Sequence, residues 1–180
     1  MAEDAKYIAF SWIKGFMGEE IVRKKIFSNL SKSIKLIDGH EPFAAKNLKP
    51  LEAIDAKGRK VNVKLQHLDI VGMTNKKEIK FICEVKTTIT SKKEFKGNGF
   101  CIPFMVEASK KKIPIYFAVV RLTRDFNPSI IKNFDPKTNK FKINKQLKDN
   151  EMAYALKHAS VEFCKNNDFK IIDNTFVITK

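Results

Sequence analysis

Gln66-His67-Leu68-Asp69-Ile70-Val71-Gly72 and Phe81-Ile82-Cys83-Glu84-Val85-Lys86-Thr87-Thr88 are two neighbouring strand-like runs, each with one acid among apolar residues. In the second, alternation along a strand puts Glu84 and Lys86 on the same face. An apolar strand does not hold such groups inside without a partner, because an unpaired buried charge is expensive. A bound cation is one such partner. The Glu-x-Lys triplet alone is a weak signal in so Lys-rich a chain, since Asp4, Asp55, Glu78, Glu94 and Asp168 also have a Lys two positions on. Glu84 stands apart by its apolar neighbours Phe81, Ile82, Cys83 and Val85.

The polar tip Thr74-Asn75-Lys76-Lys77 between the runs reads as a hairpin loop. A two- or four-residue loop sets Asp69 opposite Ile82 and Glu84 opposite His67, which makes Asp69 and Glu84 diagonal neighbours on one face. Diagonal positions lie about 7–8 Å apart at the backbone. Two carboxylates so placed are able to share a divalent ion whose oxygen ligands, for magnesium, sit at about 2.0–2.1 Å. A three-residue loop would send Glu84 to the opposite face, since one residue of slip inverts a strand.

At Asp69 and Glu84-Val85-Lys86 the chain resembles the PD-(D/E)XK nuclease superfamily, whose fold is shared by many restriction enzymes, archaeal Holliday junction resolvases and repair nucleases. Upstream, Gly15-Phe16-Met17-Gly18-Glu19-Glu20-Ile21-Val22 is similar to the family's first helix, where a Glu often completes the metal site; the Gly-x-x-Gly-Glu spacing favours Glu19 over Glu20. Downstream, Phe104 to Lys112 and then Ile113 to Val120 resemble its second helix and next strand. The resemblance covers roughly residues 7–122. No Pro precedes Asp69, and the Gln or Lys often found on the later helix has no clear counterpart, Glu107 being the nearest polar residue.

The fold this resemblance implies is α/β: a restriction-endonuclease-like core with a mixed central β-sheet flanked by helices, followed by an added C-terminal α/β extension. The expected organisation is a single domain over residues 1–180, with the core at about 7–122 and the extension at about 123–180. The implied activity is Mg2+-dependent hydrolysis of DNA phosphodiester bonds by an endonuclease, with Mn2+ as a substitute ion. Asp69, Glu84 and the Val85 carbonyl would hold the metal, joined by Glu19 directly or through water, while Lys86 would orient the attacking water and stabilise developing charge. The alternative is a non-catalytic, basic nucleic-acid-binding protein on a nuclease-like fold. Against it, acids that bind no metal would place negative charge beside the phosphate they should attract.

Composition agrees with an anionic partner. The 180 residues carry a net charge of +15 at a pI near 9.7, which suits nucleic acid or a membrane surface. No apolar run approaches the roughly 20 residues of a membrane span and no signal peptide opens the chain, so no membrane insertion and an intracellular, cytoplasmic location are expected. Cys83, Cys101 and Cys164 are too scattered for a disulfide framework or zinc site and read as small buried hydrophobes. His67 alone among the histidines shares the acid face.

Along the chain, Tyr7 to Leu30 has helical apolar spacing, and Gly15 and Gly18 would permit close approach to the sheet. Residues 34–38 and 51–55 read as short strands, 61–73 as one long strand, 79–88 as the next and 113–122 as the last of the core. Asp125 to Asn144 is polar and Lys-rich, an insertion or loop. A helix follows from about Asn150 to Asn166 with Met152, Ala155, Leu156, Ala159 and Phe163 as its apolar stripe, then a hairpin, 169–172 and 175–178, turning at Asp173-Asn174. This extension is free to close the fold, pair subunits into a homodimer or bind substrate.

Basic residues concentrate at 92–99, 110–112 and 137–148. Lys92, Lys93 and Lys96 are the candidates for phosphate contact, since they follow the Glu84–Lys86 strand and nearby glycines let backbone approach phosphate. Only Arg23, Arg59, Arg121 and Arg124 are arginines, so bidentate base reading is less favoured. Arg121 and Arg124, at the end of the last core strand, are the exceptions to consider.

Overall fold

A three-residue loop, not one of two or four, joins the two acid-bearing runs. In the computed structural model, Lys77 N–H donates to Thr74 C=O and Thr74 N–H to Glu78 C=O, both at 2.9 Å, with Lys77 left-handed at φ 64°. This is the three-residue hairpin, a tight turn followed by an αL residue. It should invert the second strand. The pairing instead shifts register between Gly72 and Met73, leaving Lys80 as an extra residue, and that β-bulge restores the original parity.

The structure describes residues 2–37, 51–54, 58–63, 68–97, 101–123, 134–135, 140–141 and 145–180. Its elements are α1 (Ala2–Lys25), β1 (Ile34–Ile37), β2 (Leu51–Ile54), β3 (Lys60–Val63), β4 (Ile70–Thr74), β5 (Ile79–Thr88), β6 (Glu94–Lys96), α2 (Cys101–Lys110), β7 (Ile115–Arg121), β8 (Phe134–Asp135), β9 (Lys140–Phe141), α3 (Lys145–His158), β10 (Ser160–Cys164), β11 (Phe169–Ile172) and β12 (Thr175–Ile178). The fold is α/β, with a mixed five-stranded sheet in the order β1-β4-β5-β7-β10 and flanking helices. β1 and β5 both run antiparallel to β4. β5 and β7 run parallel, since Ile82 N–H reaches Pro114 C=O and, further along both strands, Leu122 N–H reaches Thr88 C=O. α2 lies in the crossover between them, as a parallel connection requires.

Residues pack as two compact units, one of 1–28, 86–91 and 119–162, the other of 29–85, 92–118 and 163–180. In the first, Ile13, Met17, Ile21 and Val22 form the buried stripe of α1. Gly18 meets the end of β5, where an added Cβ would overlap Thr87 Oγ1, whereas Gly15 has nothing within 4 Å. Only one of the two helix glycines therefore serves a close approach. α1 also packs with α3, and Lys25 Nζ donates to Ala159 C=O at 2.6 Å. In the second unit the core centres on Phe117 of β7, stacked on Phe176 at 4.6 Å, met edge-on by Phe95 and at a tilt by Phe169.

Two expected elements divide differently. The single strand expected over 61–73 is two strands: β3 folds back on β2, Leu51 facing Val63 and Ile54 facing Lys60, while β4 joins the five-stranded sheet; residues 64–67 lie outside the described set. The helix expected over 150–166 begins at Lys145 and ends at His158, and Ser160–Cys164 becomes the edge strand β10. Met152, Ala155 and Ala159 are buried as expected, but Phe163 reaches its neighbour by strand pairing, its ring 5.0 Å from Tyr116. The C-terminal hairpin forms as read, with Asp173 and Asn174 both at positive φ, the pair of left-handed residues a two-residue turn needs. It recruits β6 as a third strand, which sequence reading did not anticipate.

The two glycines of α1 should respond oppositely to alanine. Gly15→Ala should raise unfolding free energy by about 0.5–1 kcal/mol through helix propensity. Gly18→Ala should lower it by about 1–3 kcal/mol through overpacking, and Thr87→Ala in the same chain should recover most of the loss. Urea denaturation of the single and double variants measures all three effects.

Candidate metal and phosphate site

β4 and β5 pair as Ile70 with Cys83, Val71 with Ile82 and Gly72 with Phe81. The ladder ends at that Ile70–Cys83 pair, and Asp69 lies in the bend just before β4. The expected register, Asp69 with Ile82 and Glu84 with His67, is displaced by two residues, and His67 itself lies outside the described residues. The parity of the β4–β5 register is unchanged.

The hydrogen-bond ladder shows where the backbone groups of β5 point. Ile82 donates its N–H toward the β7 side, so even-numbered residues of β5 direct backbone groups away from β4, and odd-numbered ones toward it. Glu84, at an even position, directs its backbone groups toward β7. Val85 N–H points toward β4, but Asp69 Oδ2 accepts it at 2.7 Å. The side chain takes the role that a backbone carbonyl would play if β4 continued. The Val85 carbonyl points to the same edge as its N–H, because a residue in an antiparallel ladder directs both groups to one neighbour.

Glu84 is 2% exposed, among Ile82, Cys83 and Val85, all buried, and Leu68 beside Asp69 is fully buried; Asp69 is half-buried. Burial makes a charge costly unless an opposite charge is near. The donors here are carboxylate and carbonyl oxygens, the hard set that suits magnesium or manganese over thiophilic metals. Among the described residues no group of three or more His, Cys, Asp or Glu side chains is placed to hold a metal ion. Asp69 and Glu84 are two carboxylates, and a magnesium site often uses one or two, completed by waters and substrate phosphate.

The other predicted residues fall as follows. Lys86 is half-buried and lies two residues beyond Glu84 on β5. Glu19 is half-buried on α1, next to the Gly18 that abuts Thr87. Its neighbour Glu20 pairs with Arg23 one turn along the helix at 3.7 Å. Lys92, Lys93 and Lys96 are all exposed, yet the segment is not an open glycine loop. Phe95 is buried, Gly97 N–H donates to Asn174 C=O, Lys93 Nζ donates to Lys180 C=O, and Lys92 Nζ lies 5.0 Å from the Phe95 ring centre. Glu107 forms an ion pair with Lys110 on α2.

Arg121 has a structural task. Its guanidinium donates to Thr90 C=O at 2.6 Å and to Glu162 at 2.8 Å, which ties the turn after β5 to β10. Sequence reading offered it for base contact and missed this latch, because no short-range pattern links positions 41 residues apart. Arg124 lies outside the described residues.

No protein-family model matches the chain, and no curated protein or solved structure matches it. No helix among the described residues is long and apolar enough to cross a membrane.

Asp69 has two separable duties, and two variants divide them. Asp69→Asn keeps an oxygen for Val85 N–H, so unfolding free energy should stay within about 1 kcal/mol of the parent, whereas Asp69→Ala strands that amide and should lose about 1–3 kcal/mol. Denaturant midpoints in metal-free buffer give the comparison. Equal stability of the two variants would contradict the hydrogen bond's structural role.

Proposed function

We propose that this protein is a metal-dependent nuclease of PD-(D/E)XK type that hydrolyses DNA phosphodiester bonds as an endonuclease. The observation that carries the proposal is the Asp69 carboxylate held by the Val85 amide, the residue next to the buried Glu84. In this reading Asp69, Glu84 and the Val85 carbonyl hold Mg2+ or Mn2+. A bound divalent ion supplies charge neutralisation at the phosphate and acidifies water. The Asp69 side chain is oriented before any ligand arrives, because its second contact is to backbone. Lys86 orients the attacking water and stabilises negative charge as it gathers on the phosphate oxygens. Lys92, Lys93 and Lys96 hold the DNA backbone. An intracellular location follows from the substrate, and a homodimer is the assembly that would cut both strands of a duplex.

Cleavage of plasmid, single-stranded and branched DNA with magnesium or manganese tests the reading. Cleavage should require metal and should vanish in Asp69→Ala and Glu84→Ala, while DNA affinity is kept or increased by the loss of a negative charge. Near-parental rates in both variants would overturn the assigned site.

Lys86→Ala should slow single-turnover cleavage by about 10²–10⁴-fold, the usual contribution of a positioned proton-transfer group, with metal binding unchanged because an ammonium is no ligand. Replacing Lys92, Lys93 and Lys96 together should flatten the dependence of log K on log salt by up to about 0.9 per contact on duplex DNA. Fluorescence anisotropy across a salt series gives that slope. An unchanged slope would return these lysines to ordinary solvated surface.

A further inference from the structure

β11 ends its sheet. In the order β11-β12-β6, no strand among the described residues lies on its far side. The pairing with β12 shows which groups that leaves open. Thr179 N–H donates to Asp168 C=O at 2.9 Å, while Ile178, opposite Phe169, donates its N–H to Lys93 C=O on the other side of β12. Even-numbered residues of β11 therefore turn their backbone groups to β12, and Phe169 and Ile171 turn theirs outward. Natural edges are usually blunted by charge, proline or a covering element. Within β11 the one charge is Lys170, and alternation puts its side chain on the opposite face from Phe169 and Ile171.

The face that Phe169 and Ile171 share opens into a groove of about 340 Å³, lined also by Met105 and Val106 of α2 and by Ile115. Met105, Ile115 and Phe169 are buried, but Val106 is 44% exposed. An open strand edge beside an apolar groove suits an extended segment that adds as a strand: main-chain hydrogen bonds hold it, and alternate side chains enter the groove. The charge around the groove selects the segment. Lys110 pairs with Glu107, and Asp168 pairs with Lys180. Lys111, Lys112 and Lys170 are exposed, with no acid against them among the described residues. Lys112 lies beside the groove, since its N–H donates at 2.9 Å to the carbonyl of Ser109, which lines it. A second copy of this chain is a poor occupant. Two β11 strands paired about their centre would set Lys170 opposite Lys170, and like charges directly opposite are destabilising; each copy also carries a net charge of +15.

We infer that β11 receives an extended, acidic segment of another protein as a fourth strand of its sheet. The segment alternates: apolar side chains enter the groove beside Val106, and acids on the other face meet Lys170, with Lys111 and Lys112 answering acids at one end. Backbone pairing with Phe169 and Ile171 supplies affinity, and the alternation supplies selectivity. The inference is independent of the nuclease proposal, since none of these residues belongs to the site around Asp69.

The test uses the full chain and a fluorescein-labelled seven-residue peptide in which glutamate alternates with valine and leucine, read by anisotropy. A peptide of the same composition with its glutamates in one block separates strand addition from charge attraction, and should bind about tenfold more weakly, because its apolar side chains cannot all face the groove. Val106→Asn, at a position that is already exposed, should weaken binding of the alternating peptide by about 5- to 20-fold through the apolar area it no longer covers. Lys170→Glu should weaken it by about 2- to 10-fold and should improve binding of a peptide with lysine in place of glutamate. No binding of the alternating peptide up to about 1 mM, equal affinity for the block peptide, parental affinity in Val106→Asn, or no response to charge reversal at Lys170 would each overturn the inference. A dimer in sedimentation that Val106→Asn dissolves would give the edge to a second copy, and an equal loss of duplex DNA affinity in Val106→Asn would give it to nucleic acid; either result overturns the inference as well.

Discussion

The hydrogen bond from the Val85 amide to the Asp69 carboxylate is the constraint on which the site depends. It exists because β4 stops at Ile70 and leaves an amide of β5 facing a side chain in place of a backbone acceptor. The acid is held at the end of β4 by the fold itself. The register of β4 and β5 rests in turn on a compensation between two local features. The three-residue turn at 75–77 shifts β5 by one residue, and the bulge at Lys80 shifts it back. Either feature alone would turn Glu84 to the opposite face of the sheet. Bulges occur preferentially where a side chain must be re-aimed.

Burial and charge divide the remaining work. Glu84 is buried among Ile82, Cys83 and Val85, where a carboxylate is expensive to keep unless it is partnered. Local rules are broken in this way mainly at functional sites. Elsewhere the chain follows those rules closely. Its best forked donor, Arg121, is committed to Thr90 and Glu162, so the surface charge available to an anion is mostly lysine, which contacts phosphate as a point charge without reading bases.

Much of this fold was legible from local pattern. β5 was read over the same residues it occupies, because its apolar run is bounded by a polar turn and by Thr87-Thr88. The hairpin at 169–178 was readable from Asp173-Asn174, two residues that tolerate positive φ. The misreadings have a common cause in pairing between distant segments. Ser160–Cys164 continues a helical apolar stripe through Ala159 and Phe163, and only the open edge of β7 makes it a strand. Val61 and Val63 look continuous with Ile70 and Val71, and only their partner β2 separates them. For β4 and β5, the observed register needed the three-residue turn and the bulge at Lys80, and no residue type there announces one.

The central claim is that Asp69 and Glu84 act as one cation site. Electron paramagnetic resonance of Mn2+, titrated into the parent chain and into Asp69→Asn, Glu84→Gln and the double variant, tests it without reference to any substrate. The account predicts a bound ion in the parent, a large loss of affinity in each single variant, and little further loss in the double variant, because residues acting as a unit are not additive. Undiminished Mn2+ affinity in either single variant, or losses that simply add in the double variant, would contradict it.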